Sequence, residues 1–518
     1  MRKVLLYICS VFILGGMTSC EDFLDKREDV GLTEDDIFRD YYSLRGFLDQ
    51  SFNQLENVMV MDNWENGRAF VGLFADEMAT TDNSSAVFTL HSGNWLSNAK
   101  SSTTFEIGNG GSTAISRSYK ALRINNRIIN DIDKAPLTPE QKNEILGQAY
   151  FYRSWFYFQI IKRYGGMPII DKVFEGGDDD IPRMTYHESH DWMMEDIQKA
   201  IYMLPDSWDD PNYGRPTKIA AMALKEWAQL FDASPLMQND LNSTENKGYD
   251  TERAKSAAKS AYEVIRYMDG SKSAPYPYGL ASKEEYTNIF YFKYPPVHQP
   301  EYIWVKRQFP NADNQNQKRT IRTFWQYEDL AFGSGPDGNS MCCPSLNIVN
   351  MFDKKGADGI YYPIDDPRSG YALDYDHKPF EDRDPRFYNN ILLPGTTWGH
   401  YADGRTYYIT TYKGGAAYQH MLTQKDCNKR MFTGFMCKKF MWPECNQYLE
   451  KNNPNCWWDY RFLTIYIRAS QIYLDYAEAL FEGCGSATAT IEGCPISAAE
   501  AINILRRRIG LTDLPSDI

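Results

Sequence analysis

Residues 138–168 read TPEQKNEILGQAYFYRSWFYFQIIKRYGGMP, and this stretch decides the fold. Thr138 offers a hydroxyl N-cap, Pro139 suits the first helical position, and Gln141 three residues on completes a capping box. Ile145, Ala149, Tyr152, Phe156 and Ile160 then recur at spacings of three and four. Phe151, Trp155 and Phe158 make a second apolar stripe on the same helix. A helix that is apolar on two sides is buried between neighbours. Gly165-Gly166 and Pro168 end it. The stretch therefore predicts a long central helix in a mainly helical protein.

Helices with caps of the same kind lie on both sides. An earlier one near Tyr119 to Ile132 pairs with it. Thr185 and Glu188 form a capping box before Met193, Ile197, Ala200 and Leu204, and Pro205 stops that run. Thr217 caps a helix with Ala220, Leu224, Trp227 and Phe231, whose alanines let a partner approach closely. Thr251 is read as the cap of the next, with Ala254, Ala258, Ala261, Ile265 and Met268. Ala469, Ile472, Tyr476 and Leu480 line another. Ser497 with Glu500 opens the last, which runs through Ile502, Leu505 and Ile509 to Gly510. Paired helices with small residues at their contacts point to TPR-like hairpins, with no clean repeat.

Between about 271 and 460 the helical period breaks, as in Pro275-Tyr276-Pro277-Tyr278-Gly279, and short strand-like runs appear at Tyr302 to Val305 and Tyr407 to Thr411. The expected organisation is a leader at 1–19, a helical region at 20–270, a loop-rich insertion at 271–460 and a helical region at 461–518. Long loops on a rigid scaffold are where binding residues gather.

The leader has a basic start (Arg2, Lys3) and an apolar core from Val4 to Leu14, too short for a span of about 20 residues. Met17-Thr18-Ser19 then meet Cys20, the pattern of a lipoprotein cleavage site, with Cys20 carrying the acyl chains. The formal net charge of −14 disfavours nucleic acid as a partner. The 36 Tyr and 12 Trp exceed what a core requires, and such rings suit exposed binding surfaces. Eight cysteines remain beyond Cys9 and Cys20, an even count that permits disulfides in an exported chain; Cys484 and Cys494 bracket a Gly-rich loop that they could close. Nothing from Cys427 to Cys456 has zinc-ligand spacing.

Several segments, in order, resemble the SusD/RagB family of nutrient-binding outer-membrane lipoproteins. They are Cys20-Glu21-Asp22-Phe23-Leu24-Asp25, whose acidic residues resemble the surface-export tag of Bacteroidota lipoproteins; Gly147-Gln148-Ala149 with Arg153; and Arg163-Tyr164-Gly165-Gly166-Met167-Pro168. Then come Arg183-Met184-Thr185, Gly214-Arg215-Pro216-Thr217-Lys218, Asp358-Gly359, Arg383-Asp384-Pro385-Arg386, and Gly434 with Lys438-Lys439-Phe440. Ile472 to Ala479, Ile502-Asn503 and Arg506 to Leu511 complete the series. The resemblance implies a TPR-like helical scaffold, a lipid anchor at the outer membrane facing outward, and a TonB-dependent SusC-like transporter as partner. Family members usually continue with a further helix, so the end at Ile518 reads as a truncation.

No catalytic signature is present: no Gly-x-Ser-x-Gly, Walker loop or His-Glu-x-x-His. His187-Glu188-Ser189-His190 overlaps a capping box and reads as a helical first turn. Asp365-Asp366, Asp382 and Asp384 are carboxylates by type only, and Arg383-Asp384-Pro385-Arg386 reads as a turn with internal ion pairs. Asp178-Asp179-Asp180 lacks calcium-loop spacing. No catalytic residue, metal or cofactor is expected. A sugar ring, by contrast, needs a flat aromatic platform rimmed by amides. Trp95 with Asn94 and Asn98 fits that chemistry, followed by Trp325 and Tyr327, then Tyr291 and Tyr294. Trp155, Trp192 and Trp227 sit on helical stripes and read as core. The expected function is capture of a glycan for uptake; a peptide ligand is the alternative, and a surface hydrolase the third reading.

Overall fold

The computed structural model describes residues 33–55, 75–79, 114–174, 180–239, 247–274, 276–290, 299–307, 343–374, 378–400, 406–415, 433–439 and 463–517. The helices are α1 (Glu34–Phe38), α2 (Tyr41–Gln54), α3 (Ala114–Asp131), α4 (Pro139–Tyr164), α5 (Tyr186–Met203), α6 (Lys218–Ala233), α7 (Thr251–Gly270), α8 (Leu346–Asn350), α9 (Tyr371–Asp374), α10 (Pro385–Asn390), α11 (Ala469–Cys484) and α12 (Ala498–Arg508). The long helices pack in series: α2 on α3, then each on the next through α7, then α7 on α11 and α11 on α12. The segment between α7 and α11 is thus looped out of a continuous stack of helical hairpins. The protein is mainly α, as expected.

Local chemistry explains the helix ends. Thr138 and Thr185 each accept from the backbone N–H three residues on, and Gln141 and Glu188 reach back to the N-cap N–H. Ser497 and Thr217 cap α12 and α6 with their hydroxyls. The cap of α7 corrects the sequence reading. Asp250, not Thr251, accepts from the N–H groups of Glu252 and Arg253, so Thr251 is the first helical residue. Both side chains carry a suitable oxygen, and the ionised one interacts better with the helix N-terminus. After α4 the chain passes directly beneath the start of α5. A Cβ on Gly166 would lie 2.1 Å from the Met184 carbonyl oxygen, so only glycine fits there.

Helices approach closely where residues are small. Ala220, Ala221, Ala223 and Ala228 on α6 and Ala254, Ala257, Ala258 and Ala261 on α7 are all buried. On α11, a Cβ at Gly483 would come within 2.9 Å of Lys255 Cγ on α7. Two buried networks tie successive hairpins. Arg153 on α4 donates to both Asp196 oxygens on α5, at 2.5 and 2.8 Å, and to Asn126 on α3 at 3.0 Å. Asp232 on α6 accepts from Arg253 on α7 and lies 2.7 Å from His187 Nδ1 on α5.

The strands form two-stranded antiparallel pairs: β1 (Met78–Ala79) with β3 (Cys343–Pro344), β2 (Tyr302–Arg307) with β10 (Leu463–Arg468), β4 (Lys354–Lys355) with β5 (Tyr361–Tyr362), β6 (Ile391–Leu392) with β9 (Met436–Cys437), and β7 (Thr397–His400) with β8 (Thr406–Tyr408). The β2–β10 pair closes the looped-out segment, because β10 runs straight into α11.

This closure is why α4 is apolar on two sides. Trp304 of β2 is 2% exposed and meets Phe151 at 4.8 Å and Trp155 at 4.7 Å between ring centroids. Tyr466 of β10 packs on Trp304 at 4.6 Å and on Trp155 at 5.3 Å. One face of α4 therefore meets helices and the other meets the base of the insertion. Trp155 is core, and Trp192 and Trp227 pack partly buried against it. The Cys484–Cys494 loop is not closed by a disulfide: both are free thiols. Cys494 instead packs into the main core, and the loop is held by the Tyr476 hydroxyl on the Ile496 carbonyl.

Candidate ligand-binding face

All residues singled out for binding or anchoring lie outside the described residues: Cys20, Asn94, Trp95, Asn98, Tyr291, Tyr294, Trp325 and Tyr327. What is described is the chain at the ends of their segments. β1 ends at Ala79, and the segment with Asn94, Trp95 and Asn98 follows it. β3 begins at Cys343, and the segment with Trp325 and Tyr327 precedes it. Ala79 pairs with Cys343 and Met78 with Pro344, so the first segment starts where the second one finishes. Two chain regions far apart in sequence are thereby fastened at one point.

Side chains reinforce the junction. Ser345 N–H donates to the Glu77 carbonyl at 2.9 Å, and its hydroxyl bonds the Asp76 carbonyl while capping α8. The far end of the Trp325 segment leaves β2 at Arg307, opposite Leu463. Lys306 of β2, its ammonium pushed down to about 8 by burial, donates to the Leu55 carbonyl at the end of α2 at 2.9 Å.

Tyr291 and Tyr294 follow directly on Phe290, which is held by a charged knot. Glu301, fully buried, accepts from Arg468 at 3.1 Å, Arg508 at 2.6 Å and the Ala281 N–H at 3.0 Å. A buried carboxylate is tolerated when its lone pairs are filled this way. The two guanidiniums lie 5.1 Å from the ring centroids of Tyr286 (Arg508) and Phe290 (Arg468). The knot joins the insertion's start, its return at β10, and α12.

Sequence reading did not anticipate a small cavity of about 50 Å³ beside β2, lined in part by Trp208, Tyr213, Tyr276, Tyr278 and Gln299. The Gln299 side-chain oxygen is buried there without a hydrogen-bond partner. The volume suits a few waters. It is far below the roughly 300–1,000 Å³ of ligand pockets.

Several of the polar residues weighed for chemistry have structural partners. Asp384 caps α10 and pairs with Arg386. Asp366 caps a turn and holds Arg368, whose guanidinium lowers the carboxyl below its ordinary range. Arg383, expected in an ion pair, instead donates to the carbonyls of Val349, Phe352 and Pro379. His190 lies 3.0 Å from Asp191. Among the described residues no cluster of three or more His, Cys, Asp or Glu is placed to hold a metal, and none of the helices is long and apolar enough to cross a membrane. Of Asp178–Asp180, only Asp180 lies within the described residues.

These features define a helical-hairpin scaffold carrying an irregular, aromatic-rich insertion. Sequence profiles place it further. The profile described as "Starch-binding associating with outer membrane" matches residues 22–226, and that of the "SusD family" matches residues 300–517. The chain belongs to the SusD/RagB family. Solved structures share its fold. A SusD-like protein from Bacteroides fragilis NCTC 9343 superposes with a TM-score of 0.65 at 22% identity, over 94% of this chain and 82% of that one. A SusD-like carbohydrate-binding protein from the same strain gives 0.62 at 19%, over 92% and 80%. A laminarin-binding SusD-like protein gives 0.52 at 16%, over 92% and 85%. No curated protein matches the sequence.

Proposed function

We propose that this chain is a lipid-anchored protein of the outer cell surface that captures an oligo- or polysaccharide. It hands the glycan to a TonB-dependent, SusC-like transporter and does no chemistry on it. The observation that supports this reading is the β1–β3 pairing, which sets the residue before the segment of Trp95 beside the residue after the segment of Trp325. Two aromatic platforms rimmed by Asn94 and Asn98 would grip successive sugar rings by stacking on their C–H faces. Family membership supports the transporter partner and the outer-membrane setting, and the carbohydrate- and laminarin-binding relatives support the ligand class. Cys20 would be the acylated residue.

The test is a glycan array run beside a peptide library, with the native tagged protein also recovered in mild detergent. Saturable binding to one glycan class and co-purification of a large β-barrel are expected. Binding only to peptides would move the protein to peptide uptake. Release of cleaved products by the purified chain would make it a hydrolase.

A further inference from the structure

We infer that the small cavity beside β2 is an accessory sugar subsite that takes the edge of a single pyranose ring. Three pieces of chain meet there. The α5–α6 loop supplies Trp208 and Tyr213, the stretch after α7 supplies Tyr276 and Tyr278, and the lead into β2 supplies Gln299. Rings of this kind suit the C–H faces of a sugar, and an amide suits its hydroxyl rim. The Gln299 side-chain oxygen is buried without a partner. A buried acceptor left in that state is costly, and a hydroxyl that donates to it recovers the loss. Ser207 and Pro277 also line the cavity and are exposed, so its mouth reaches solvent.

The walls are already held. The Trp208 indole N–H donates to the Pro216 carbonyl at 2.8 Å, and the Tyr278 N–H to the Ser271 hydroxyl at 2.9 Å. The Gly279 N–H donates to the Pro300 carbonyl at 3.0 Å, which fastens the stretch after α7 to the lead into β2. A preorganised wall spares a ligand the entropy of ordering it. The charge in the lining is matched as well. Arg215 donates to both Asp49 oxygens, at 2.7 and 2.9 Å. Among the described residues no carboxylate lines the cavity. A cationic ligand would find no counter-ion there, and an anionic one would meet a guanidinium already paired, so a neutral donor is favoured. At about 50 Å³ the space admits one hydroxyl-bearing edge rather than a run of rings. The subsite therefore selects a chain end or a single-sugar branch. Gln299 is the first described residue after the segment of Tyr291 and Tyr294, so a sugar held here adjoins the end of that segment. The inference rests on the glycan reading of the proposed function.

The mature chain carrying Trp95→Ala with Trp325→Ala is mixed with glucose, galactose, mannose, xylose or N-acetylglucosamine at millimolar concentrations and read by saturation-transfer NMR. The native chain is run beside it, and n-butylammonium and acetate serve as charged probes. At least one sugar should bind, and neither charged probe. Gln299→Leu added to that chain should weaken the sugar about tenfold or more, and Tyr276→Ala should do the same. Gln299→Leu should melt no lower than its parent, because the oxygen it removes has no partner to lose. A glycan array with the native chain separates the two readings. Array binding without any monosaccharide signal, a signal unchanged by both Gln299→Leu and Tyr276→Ala, or binding of a charged probe alone would overturn the subsite and leave glycan capture standing. No sugar bound in either assay would sink both.

Discussion

Glu226→Gln should stabilise this protein at alkaline pH and flatten its pH dependence. Glu226 on α6 is 1% exposed and shares a carboxyl–carboxyl hydrogen bond with Asp475 on α11. Burial raises both; Asp475 moves from its ordinary 3.8 to about 7, opposed by the Gln471 amide and reinforced by Glu478. Burial pushes Glu226 well above its ordinary range, with Asp475 adding to it. The pair titrates as a unit, holding protons in the folded protein that the unfolded chain has released. A raised acid contributes its full stability below the unfolded pKa near 4. That contribution is lost as pH rises through the folded value, so the loss falls between about pH 4 and pH 7. The rise of Asp475 comes first from its burial and remains in the variant; what Gln removes is the cost of charging the buried Glu226 itself. Water entry and helix relaxation reduce it, and Gln removes one charge while keeping a donor for Asp475. Urea unfolding at a series of pH values reads the difference. At pH 8 the variant should exceed the native protein by more than about 1 kcal/mol, the scale of a single pKa unit, and near pH 4.5 the two should agree within about 1 kcal/mol. Equal stability at pH 8, or an unchanged slope from pH 4.5 to 8, would refute the reasoning.

Trp304→Ala removes the ring that joins β2 to Phe151 and Trp155, and orphans the Gly214 carbonyl that its indole N–H reaches at 3.2 Å. A loss of about 3–5 kcal/mol is expected, with limited proteolysis cutting first between 271 and 460; unchanged unfolding would sink the idea that this ring locks the insertion. Asp196→Ala strands the Arg153 cation, whose side chain is 5% exposed. It should cost about 3–5 kcal/mol, and Arg153→Met with Asp196→Leu less than that; thermal melts giving under about 1 kcal/mol for the single change would contradict this. Trp95→Ala should weaken glycan binding by roughly 1–3 kcal/mol with melting unchanged. If it unfolds the protein while leaving affinity intact, Trp95 is core and the site moves to Trp325.

Helix chemistry was legible because its signals are local. The boxes at Thr138 and Thr185 and the two stripes of α4 could be read directly, and only the choice between Asp250 and Thr251 went astray. Local signals were also present and unused at α1 and α2, where Thr33 and Asp40 cap helices that bury Leu44 and Leu48. Strand partners were not legible. Tyr302 to Val305 reads as a strand, but its partner enters only at Leu463, and no short-range pattern names it. Buried charges were the least legible. Glu226, Glu301 and Asp232 look like surface residues until the fold supplies Asp475, Arg508 and Arg253. The binding residues were chosen by ring chemistry alone; the fold adds the β1–β3 pairing, which joins the chain at one end of each of two of their segments.

The most direct measurement is a calorimetric titration of the purified mature chain with the oligosaccharide selected on the array, followed by chromatography of the recovered sugar. Saturable heat, with the sugar recovered uncleaved, is the expected result for a protein that captures glycan and passes it on. No heat with any glycan class, or shortened products in the recovered sugar, would contradict it.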